Sequence, residues 1–340
     1  MFQERNDDQD TRCIQQVFGL DNIGFTCYLN TTLQCIFSYE NFIQEINSQR
    51  QDATQSISLS LQNIISGDRR KAVKSLIRAL MQKVNYFRFL QHNDINEFIT
   101  LFFDQINMEI YNFNKLDIRP IKQSLNSSAL SNFLSKAHKS WYNYVKNENT
   151  WFNDMCTGQL VHQIICGNCK KIHHNFETFR LLDVELPPPR GDSVCSLDFA
   201  LENYFKKQYI NAGEDENEDK WVCDGCNQSV KSVKSCKIVR TPAMFIISLK
   251  RFKMMHGRFI KNNQYIKIDE KIDLNDYSVD FDENFELRAV ANHMGSMQSG
   301  HYNAYCLRNG GWYLIDDEDT RKVKSYDDQH AYTIFFKKMI

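Results

Sequence analysis

The chain has 340 residues, of which 42% are hydrophobic and 24% are charged, so it is long enough to bury a substantial core. Its 41 basic and 42 acidic side chains leave a net charge of −1, whereas non-specific nucleic-acid binders are usually strongly basic. The 13 glycines and 5 prolines are too few for a collagen-like chain or for Pro/Gly-rich disorder. We therefore expect a globular protein that does not bind nucleic acid.

The sequence contains no pattern typical of export or of membrane insertion. Residues 1–16 are polar and without periodicity, and we expect them to form a flexible leader. The longest clean apolar run, at 244–249, is far short of the ~20 residues that a membrane helix needs. We therefore expect an intracellular protein, cytoplasmic, nuclear or both, whose 11 cysteines stay reduced.

The first half of the chain, from residue 18 to about 151, has the pattern of helices. Apolar residues recur there at helical spacing, and glycine and proline are absent from the first segment. The predicted helices are 27–46, 57–65, 72–89 and 93–108.

The rest of the chain has the pattern of short strands, since β-branched and aromatic runs alternate with turn residues. The predicted strands are 159–165, 178–186, 235–239, 243–249, 285–292, 301–307 and 312–315. One more helix is expected at 196–204, with Ser196 as its N-cap, and the acidic run at 214–219 is expected to be a solvated loop. Helices followed by a mostly antiparallel sheet indicate the α+β class.

Four cysteines occur as two CxxC pairs, Cys166 with Cys169 and Cys223 with Cys226. A tight turn with a glycine can point two thiolates at one ion, and two such turns complete a tetrahedral zinc site. Because four protein ligands leave no open position, this zinc would be structural. The alternative is two unrelated pairs or a redox pair. Three nearby histidines could compete as ligands, but we expect them to be solvated strand residues: His162, His173 and His174.

Cys27 is the candidate nucleophile. The segment before it contains Gly19 and Gly24, which allow a tight backbone approach, and Cys27 is expected to open a helix. The dipole and the free N–H groups of a helix N-terminus favour the thiolate. Buried packing is the usual fate of a free cysteine and is the alternative; it is the simplest interpretation of Cys35 in the same helix.

His301 begins an alternating strand after a Gly-rich loop, and a second strand ends in Asp316 and Asp317. A hairpin of these strands could place Asp316 where it accepts the Nδ1–H bond of His301. The other ring nitrogen would then draw the proton from Cys27. A buried strand histidine beside a solvated turn is the alternative. The chain order Cys, His, Asp is that of papain-like enzymes, although the papain-type signature around the cysteine is absent.

Five motifs follow one another along the chain. They are GLDNIGFTCYLNTTLQ at 19–34, DINEF at 94–98, the two cysteine pairs, TPAMFIISLKRF at 241–252, and SGHYNAY at 299–305 with WYLIDD at 312–317. In this order they make the chain strongly resemble the ubiquitin-specific protease family of deubiquitinating cysteine enzymes. The resemblance implies a single papain-like α+β catalytic domain at 17–340. A helical thumb at about 17–155 would precede an antiparallel β palm and zinc-tipped β fingers, interleaved at about 156–340.

The resemblance also implies an activity: hydrolysis of the isopeptide or peptide bond after the C-terminal glycine of ubiquitin, through a thioester acyl-enzyme. Cys27 matches the nucleophile, His301 the general base and Asp316 the residue that orients it. Asn22 matches the side chain that forms an oxyanion hole with the backbone N–H of Cys27. Asp317 occupies the adjacent acidic position, which helps to polarise the site in some members.

Two further acids, Asp94 and Glu97, match residues that bind the arginines of ubiquitin's Leu-Arg-Gly-Gly tail; they are spaced i, i+3 on one helix. An ordinary amphipathic helix surface is the alternative. The chain departs from the family pattern at Phe25, where asparagine is commonest, and at His92 and Asn93, where glutamines are usual.

The expected partners are ubiquitin or ubiquitinated proteins, with an unidentified regulatory partner, and neither a membrane nor a nucleic acid. The expected cofactor is structural zinc, with no organic cofactor. Three rival functions are an enzyme on a ubiquitin-like modifier, an inactive ubiquitin-binding scaffold, and a zinc-ribbon nucleic-acid binder.

Overall fold

The structure is a computed structural model that describes residues 17–49, 56–113, 129–146, 149–187, 195–210, 221–255, 257–279, 283–296 and 299–339. The predicted leader at 1–16 and the acidic run at 214–219 lie outside these residues. Within the described part of the chain, no helix has both the length and the apolar character needed to cross a bilayer.

In the described part of the chain, seven α-helices precede the first strand and an eighth lies between strands. They are α1 (Cys27–Ile36), α2 (Glu40–Ser48), α3 (Ser56–Ser66), α4 (Arg69–Lys83), α5 (Ile95–Phe113), α6 (Ala129–Val145), α7 (Trp151–Cys156) and α8 (Leu197–Phe205). The expected N-cap of α8 is confirmed, because the Ser196 hydroxyl accepts a hydrogen bond from the N–H of Phe199 at 3.2 Å.

The predicted continuous helix at 27–46 is wrong, since the chain turns between α1 and α2. The Ser38 hydroxyl donates to the carbonyl oxygen of Gln34 at 3.2 Å, and Tyr39 is extended, with φ −107° and ψ 106°. The Tyr39 hydroxyl reaches the carbonyl of Phe336 at 3.0 Å. Contact with the sheet therefore overrides the local helical pattern.

The predicted helix at 72–89 ends early, at Lys83, and the residues that follow form an irregular segment. Phe87 and Phe89 are nevertheless buried, which explains why the apolar pattern extends beyond the helix. The sequence interpretation also omitted the elements at 129–145, 252–255, 258–261, 319–323 and 331–338.

Sixteen strands form the β part of the described chain. They are β1 (Gly158–Ile165), β2 (Ile172–Phe179), β3 (Leu181–Glu185), β4 (Cys195–Ser196), β5 (Gln208–Ile210), β6 (Ser232–Arg240), β7 (Met244–Lys250), β8 (Phe252–Met255), β9 (Arg258–Lys261), β10 (Ile266–Lys267), β11 (Lys271–Asp273), β12 (Asn284–Gly295), β13 (Gly300–Arg308), β14 (Gly311–Asp316), β15 (Asp319–Val323) and β16 (Ala331–Lys338).

The main sheet has the strand order β15-β14-β13-β12-β16-β7-β3, with β11 beside β12. Its pairs are antiparallel except for the β3–β7 pair, so the expected mostly antiparallel sheet is confirmed. A second, antiparallel sheet has the order β2-β1-β6-β5. The cysteine pairs lie at its outer end, between β1 and β2 and before β6. The predicted α+β class is thus confirmed, with a cluster of cysteines at the outer end of the second sheet.

The main sheet is covered on both faces. In β7, Met244 and Ile246 join the core beneath the helices, whereas Phe245 and Ile247 join a second core with α8. Burial on both faces explains the continuous apolar run at 244–249. The helices thus form a layer on one face of this sheet, where α1 contacts β12, β13 and β14.

A buried carboxylate orders the helical layer. Glu109 of α5 is 2% exposed, and its two oxygens accept the N–H groups of Ile57 and Ser58 at 3.1 and 2.8 Å. These donors are in the first turn of α3, where backbone N–H groups lack helical partners and an anion is favoured. The Lys83 ammonium lies 3.7 Å from the same carboxylate.

We predict that Glu109→Ala lowers the free energy of unfolding by about 3 kcal/mol, because it leaves two buried N–H groups without an acceptor. Urea unfolding followed by circular dichroism would measure the change. Glu45→Ala removes an exposed carboxylate from α2 and is the matched control. Equal stability of the two variants would contradict the capping role.

Candidate active site and cysteine cluster

Cys27 is the first residue of α1, and its side chain is buried, with 3% exposed. The helix lies on the main sheet, so the thiol is placed at the helix N-terminus and close to the β13–β14 hairpin. Cys35, two turns further along, is fully buried in the same core, which agrees with its interpretation as a packing residue.

The two glycines before Cys27 are required for different structural reasons. A Cβ at Gly19 would lie 2.2 Å from the carbonyl oxygen of Glu318, so the chain can approach the β14–β15 turn only without a side chain. Gly24 has a φ of +93°, which L side chains rarely adopt. The expected tight backbone approach is therefore made at Gly19.

His301 and Asp316 lie on neighbouring strands, β13 and β14, and are in direct contact. Nε2 of the ring is 2.5 Å from Oδ1 of Asp316. A hydrogen bond with Cys27 is the largest contribution that raises the pKa of His301 to about 9. Burial opposes this increase, and the hydrogen bond and charge of Asp316 support it. The structure thus brings together three residues that are far apart in the sequence.

The ring of His301 is oriented opposite to the expectation. The carboxylate of Asp316 was expected at Nδ1, but it bonds Nε2, which leaves Nδ1 for Cys27. Nε2 thus faces the neighbouring strand β14, and the other edge of the imidazole is left for Cys27. The expected role of the carboxylate is unchanged, since it still fixes one ring nitrogen and leaves the other for Cys27.

Asp317 binds the segments on both sides of Cys27. Its two carboxylate oxygens accept hydrogen bonds from the amides of Asn22 at 2.9 Å and Asn30 at 2.8 Å. Its carbonyl oxygen accepts the N–H of Leu20 at 2.7 Å. This carboxylate therefore fixes the loop before the thiol and the helix after it.

Asn22 is held at both ends of its amide. While Nδ2 donates to Asp317, Oδ1 accepts the N–H groups of Gly24 at 3.2 Å and Thr26 at 3.1 Å. Among the described residues, Asp317 is the acceptor of Nδ2, which leaves its second hydrogen available to donate. The amide is thus oriented within five residues of Cys27.

Asn30 was not among the candidate residues. Its Nδ2 also donates to the carbonyls of Leu20 and Asp21, at 3.1 and 3.2 Å, and only 1% of the residue is exposed. A possible signal was an asparagine on the buried face of a helix, three residues after the candidate nucleophile, because a buried amide requires partners.

Asp94 has two local roles. Oδ1 accepts the N–H groups of Asn96 and Glu97, at 2.8 and 3.2 Å, so Asp94 is the N-cap of α5. Oδ2 accepts the hydroxyl of Tyr332 at 2.5 Å. Glu97, one turn further on, is exposed. The two acids thus lie on one helix start, as expected, but only one is exposed at the surface.

Phe25 and His92, two of the residues at which the chain departs from the family pattern, are in contact with each other. The rings of Phe25 and His92 lie 4.4 Å apart, tilted by 55°. Phe25 is 53% exposed and has a φ of +56°, an uncommon conformation for an aromatic residue. The loop before Cys27 and the segment before α5 thus meet at this ring pair.

The four cysteines of the two pairs form one cluster, in which all Sγ atoms lie within 4.8 Å of one another. Cys166 and Cys226 are separated by 3.8 Å between sulfurs, and Cys169 and Cys223 by 3.6 Å. A tetrahedron with Zn–S bonds of ~2.3 Å has edges of ~3.8 Å. The spacing of the thiols therefore fits a tetrahedral metal site.

The two CxxC turns repeat one hydrogen-bond pattern. The N–H of Lys170 bonds the carbonyl of Cys166 at 3.2 Å, and that of Asn227 bonds the carbonyl of Cys223 at 2.8 Å. Lys170 and Asn227 have positive φ values, 60° and 53°. The sharp bend therefore falls just after each pair. Gly167 serves a different purpose, since a Cβ there would lie 1.9 Å from the carbonyl of Lys231.

The three histidines near the cluster differ in their contacts. Nε2 of His162 is 2.7 Å from a carboxylate oxygen of Glu177, and the ring of His174 lies 5.3 Å from that of Phe133. His173 instead reaches the thiols, with Nε2 at 3.3 Å from Sγ of Cys223. The expectation of a solvated strand histidine is wrong for His173.

A helical layer that places a cysteine against an antiparallel sheet is the architecture of papain-like thiol hydrolases. A family model described as ubiquitin carboxyl-terminal hydrolase matches residues 18–336. The chain belongs to this family, and the resemblance drawn from the sequence motifs is confirmed.

Among curated proteins the chain is similar to ubiquitin carboxyl-terminal hydrolase 21 of Homo sapiens. The two are 28% identical over 355 residues, which cover 94% of this chain and 61% of the relative. The chain is also similar to ubiquitin carboxyl-terminal hydrolase Usp2 of Drosophila melanogaster, at 25% identity over 94% of this chain and 34% of that protein. The chain thus spans less than two thirds of the length of either relative.

Two solved structures share the fold. The SAGA Ubp8/Sgf11/Sus1/Sgf73 DUB module bound to ubiquitin aldehyde has a TM-score of 0.73 and 19% identity, over 95% of this chain and 70% of that chain. The Ubp8-Sgf11-Sgf73-Sus1 SAGA DUB module has a TM-score of 0.71 and 20% identity, over 97% and 69%.

We predict that Asp316→Asn lowers the pKa of His301 from about 9, because the carboxylate is one of the groups that raise it. The folded-state pKa lies above the ordinary value of 6.5. The imidazolium therefore stabilises the fold fully below pH 6.5, and this contribution is lost as the pH rises through about 9. In the variant the loss should begin at a lower pH.

An NMR titration of the imidazole C–H signals would measure this change, with His301 assigned from a His301→Asn variant. Asp319→Asn is the control, since Asp319 is exposed on the neighbouring strand. An unchanged titration of His301 in Asp316→Asn would contradict the proposed coupling.

Proposed function

We propose that this chain is a deubiquitinating cysteine protease, which hydrolyses the isopeptide or peptide bond after the C-terminal glycine of ubiquitin. The observation that carries the proposal is the linked set of Cys27, His301 and Asp316, in a chain of the ubiquitin carboxyl-terminal hydrolase family. A thiol hydrogen-bonded to an imidazole, which a carboxylate orients, is the arrangement that activates a sulfur nucleophile.

The reaction follows from these contacts. Cys27 transfers its proton to His301 and the sulfur attacks the carbonyl carbon, forming a C–S bond and a tetrahedral oxyanion. His301 gives the proton to the leaving lysine amine as the C–N bond breaks, which leaves a thioester. Water then attacks the thioester, with His301 as the base, and Cys27 leaves as the thiol.

Asn22 has the role of an oxyanion donor in this proposal. Its amide is oriented by Asp317 on one side and by backbone N–H groups on the other, so its second N–H is available without reorganisation. The backbone N–H of Cys27 is the second donor. Asp317 is thereby a positioning residue, because it acts through Asn22 and Asn30.

The exposed carboxylate of Glu97 is the better placed of the two acids for binding a basic tail. Carboxylates bind arginine through charge-assisted, often bidentate hydrogen bonds. Asp94 is engaged by the first turn of α5 and by Tyr332, so we assign it mainly to holding the helix that presents Glu97. Ubiquitin, with its Leu-Arg-Gly-Gly tail, is the proposed substrate partner.

The four-cysteine cluster is the proposed structural zinc site. Cys166, Cys169, Cys223 and Cys226 would hold the ion, and the sulfur spacing and all-thiolate donor set fit zinc. Four protein ligands leave no position for a substrate, so the metal would stabilise the outer end of the β2-β1-β6-β5 sheet. The ten described cysteines are free thiols, as an all-thiolate site and a thiol nucleophile require.

Several expectations from the sequence remain proposals. We infer one catalytic domain at 17–340, with a thumb at about 17–155 and interleaved fingers and palm at about 156–340. The α1 contacts with β13 and β14, which join the first and last parts of the chain, support it. We also propose an intracellular location, nuclear or cytoplasmic, from the sequence features given above, and a regulatory partner, since the similar solved structures are modules with further subunits.

We predict that Cys27→Ala abolishes cleavage of a ubiquitin C-terminal fluorogenic substrate and leaves ubiquitin binding intact, because only the nucleophile is removed. Cys236→Ala, which removes a thiol of the β6 strand, is the control and should cleave normally. Mass spectrometry of the protein treated with an electrophilic ubiquitin probe should locate the label on Cys27.

The first rival function is that of an enzyme on a ubiquitin-like modifier. Parallel labelling with probes made from such modifiers distinguishes it from the proposed function. Stronger labelling by one of these probes would show that its modifier, rather than ubiquitin, is the substrate. Binding without any labelling would indicate the inactive scaffold, and cleavage by Cys27→Ala would refute the assignment of the nucleophile.

We further predict that Asn22→Ala lowers kcat by about 10²- to 10³-fold with little change in KM, because an oxyanion donor acts mainly in the transition state. Steady-state kinetics on the fluorogenic substrate measures both constants. Asn63→Ala, an exposed residue of α3, is the matched control. A rise in KM alone would place Asn22 in substrate binding.

A further inference from the structure

His293 of β12 is a buried histidine that the proposed reaction does not use. Only 3% of the residue is exposed, and its backbone is the cross-strand partner of Tyr302 in β13. Its N–H donates to the carbonyl of His330 at 3.0 Å, and its carbonyl accepts the ammonium of Lys261 at 2.7 Å. The backbone from which this side chain starts is therefore anchored on both sides.

The ring of His293 is held by packing. It lies among three aromatic rings, with centroid distances of 4.6 Å to Tyr302, 5.6 Å to Tyr332 and 5.7 Å to Phe252. Nδ1 is buried and has no hydrogen-bond partner among the described residues. Burial, assisted by the nearby charge of Lys261, lowers the pKa of His293 to about 4, so the ring is uncharged at neutral pH. The ring therefore acts here through its shape.

One edge of this ring occupies the place that a side chain on Gly300 would take. A Cβ there would lie 2.2 Å from Nε2 of His293, 3.0 Å from its Cδ2 and 2.8 Å from the carbonyl oxygen of Met294. Gly300 does not have a positive φ, so these neighbouring atoms, rather than the backbone conformation, require glycine. The ring can lie where it does only because residue 300 has no side chain.

Gly300 and Tyr302 are the residues on either side of His301 in β13. Because side chains alternate along a strand, these two flanking residues face the same side of β13, and the ring of His293 packs against both. His301 is the second residue of the strand, and the ends of elements open more readily than their centres. The ring therefore restrains the part of the backbone that carries the imidazole.

We propose that His293 is a positioning residue for His301, whose backbone it holds by packing against Gly300. The inference rests on the proposed function, in which the imidazole of His301 must keep its contacts with Cys27 and Asp316. A displacement of about 1 Å can lower the rate of a reaction about 10²-fold. Supporting residues that lock a reacting group by packing therefore contribute to the rate without touching the substrate.

Steady-state kinetics of the full chain on the ubiquitin C-terminal fluorogenic substrate tests this role. His293→Ala should lower kcat by about 10- to 100-fold with little change in KM, because the base is displaced and the residues proposed to bind the tail are unchanged. Gly300→Ala should also lower kcat, because its Cβ meets the ring. A rise in KM with kcat unchanged would overturn the proposal.

Two matched controls should behave as the wild type. His138→Ala removes an exposed histidine of α6. Gly311→Ala adds a Cβ at the other end of the β13–β14 hairpin, where the nearest atom is in the flexible side chain of Lys322, at 3.0 Å.

The double variant His293→Ala/Gly300→Ala tests the contact itself. The new Cβ then meets no ring, although it still lies 2.8 Å from the carbonyl oxygen of Met294. Because both substitutions act through one contact, the two losses should not multiply, and kcat should exceed the product of the single effects by at least about 5-fold. Losses that multiply, as for two independent sites, would overturn the proposal.

The titration of His301 gives a readout that a loss of stability alone would not move. Contacts with Cys27 and Asp316 raise the pKa of His301 to about 9. Displacement of the imidazole weakens these contacts, so His293→Ala should lower this pKa toward 6.5, as measured by NMR on a chain whose folding circular dichroism verifies. His293→Leu restores most of the apolar volume but has no atom at the Nε2 position. It should change the pKa in the same direction, and it replaces the alanine variant if that variant does not fold.

The NMR titration needs no ubiquitin, so it separates this inference from the proposed function. A wild type that does not cleave the ubiquitin substrate, with a lowered pKa of His301 in the variants, removes the proposed function and leaves the positioning role of His293. A wild type that cleaves it, with an unchanged pKa of His301 in the folded variants, overturns the positioning role and leaves the proposed function.

Discussion

The arrangement of the candidate active site depends on one carboxylate, that of Asp317. It accepts hydrogen bonds from Asn22 and Asn30, which lie 295 and 287 residues earlier in the chain. These two residues lie before and after Cys27 in the chain. Their hydrogen bonds therefore fix the position of the thiol relative to the strand that ends in Asp316. Asp316 in turn contacts His301, so the end of β14 positions all three candidate catalytic groups.

The other end of α1 is held by the same hairpin. The guanidinium of Arg308, at the end of β13, donates to the carbonyl and the side-chain oxygen of Gln34, each at 2.7 Å. Arg308 is buried, and this burial lowers its pKa. A helix attached at both ends to one β-hairpin cannot tilt or slide independently of His301. Rigid elements of this kind preserve the short distances that proton transfer requires.

The sequence predicted which candidate residues the fold brings together better than it predicted their surroundings. Cys27, His301 and Asp316 could be proposed as a catalytic set because their types and order suit the chemistry, and the cysteine pairs could be proposed as a metal site because their spacing is specific. The ring orientation of His301 could not be found, since the predicted β13–β14 hairpin does not determine which ring nitrogen faces Asp316. The break after Ile36 likewise depends on Tyr39 reaching the sheet, a long-range contact that no local pattern contains. His173 was missed because pairing of β1 with β2 decides which strand histidine faces the thiols.

The contact between Phe25 and His92 gives the family departures a common physical reason. A φ of +56° is costly for an aromatic residue and persists only where the surroundings determine it. The ring of His92, 4.4 Å away, supplies such a contact, although Phe25 is largely exposed. The pair joins the loop that carries Asn22 to the segment that leads into Asp94. The two unusual residues are therefore in direct contact, and this ring pair links the loop before the candidate nucleophile to the segment before α5.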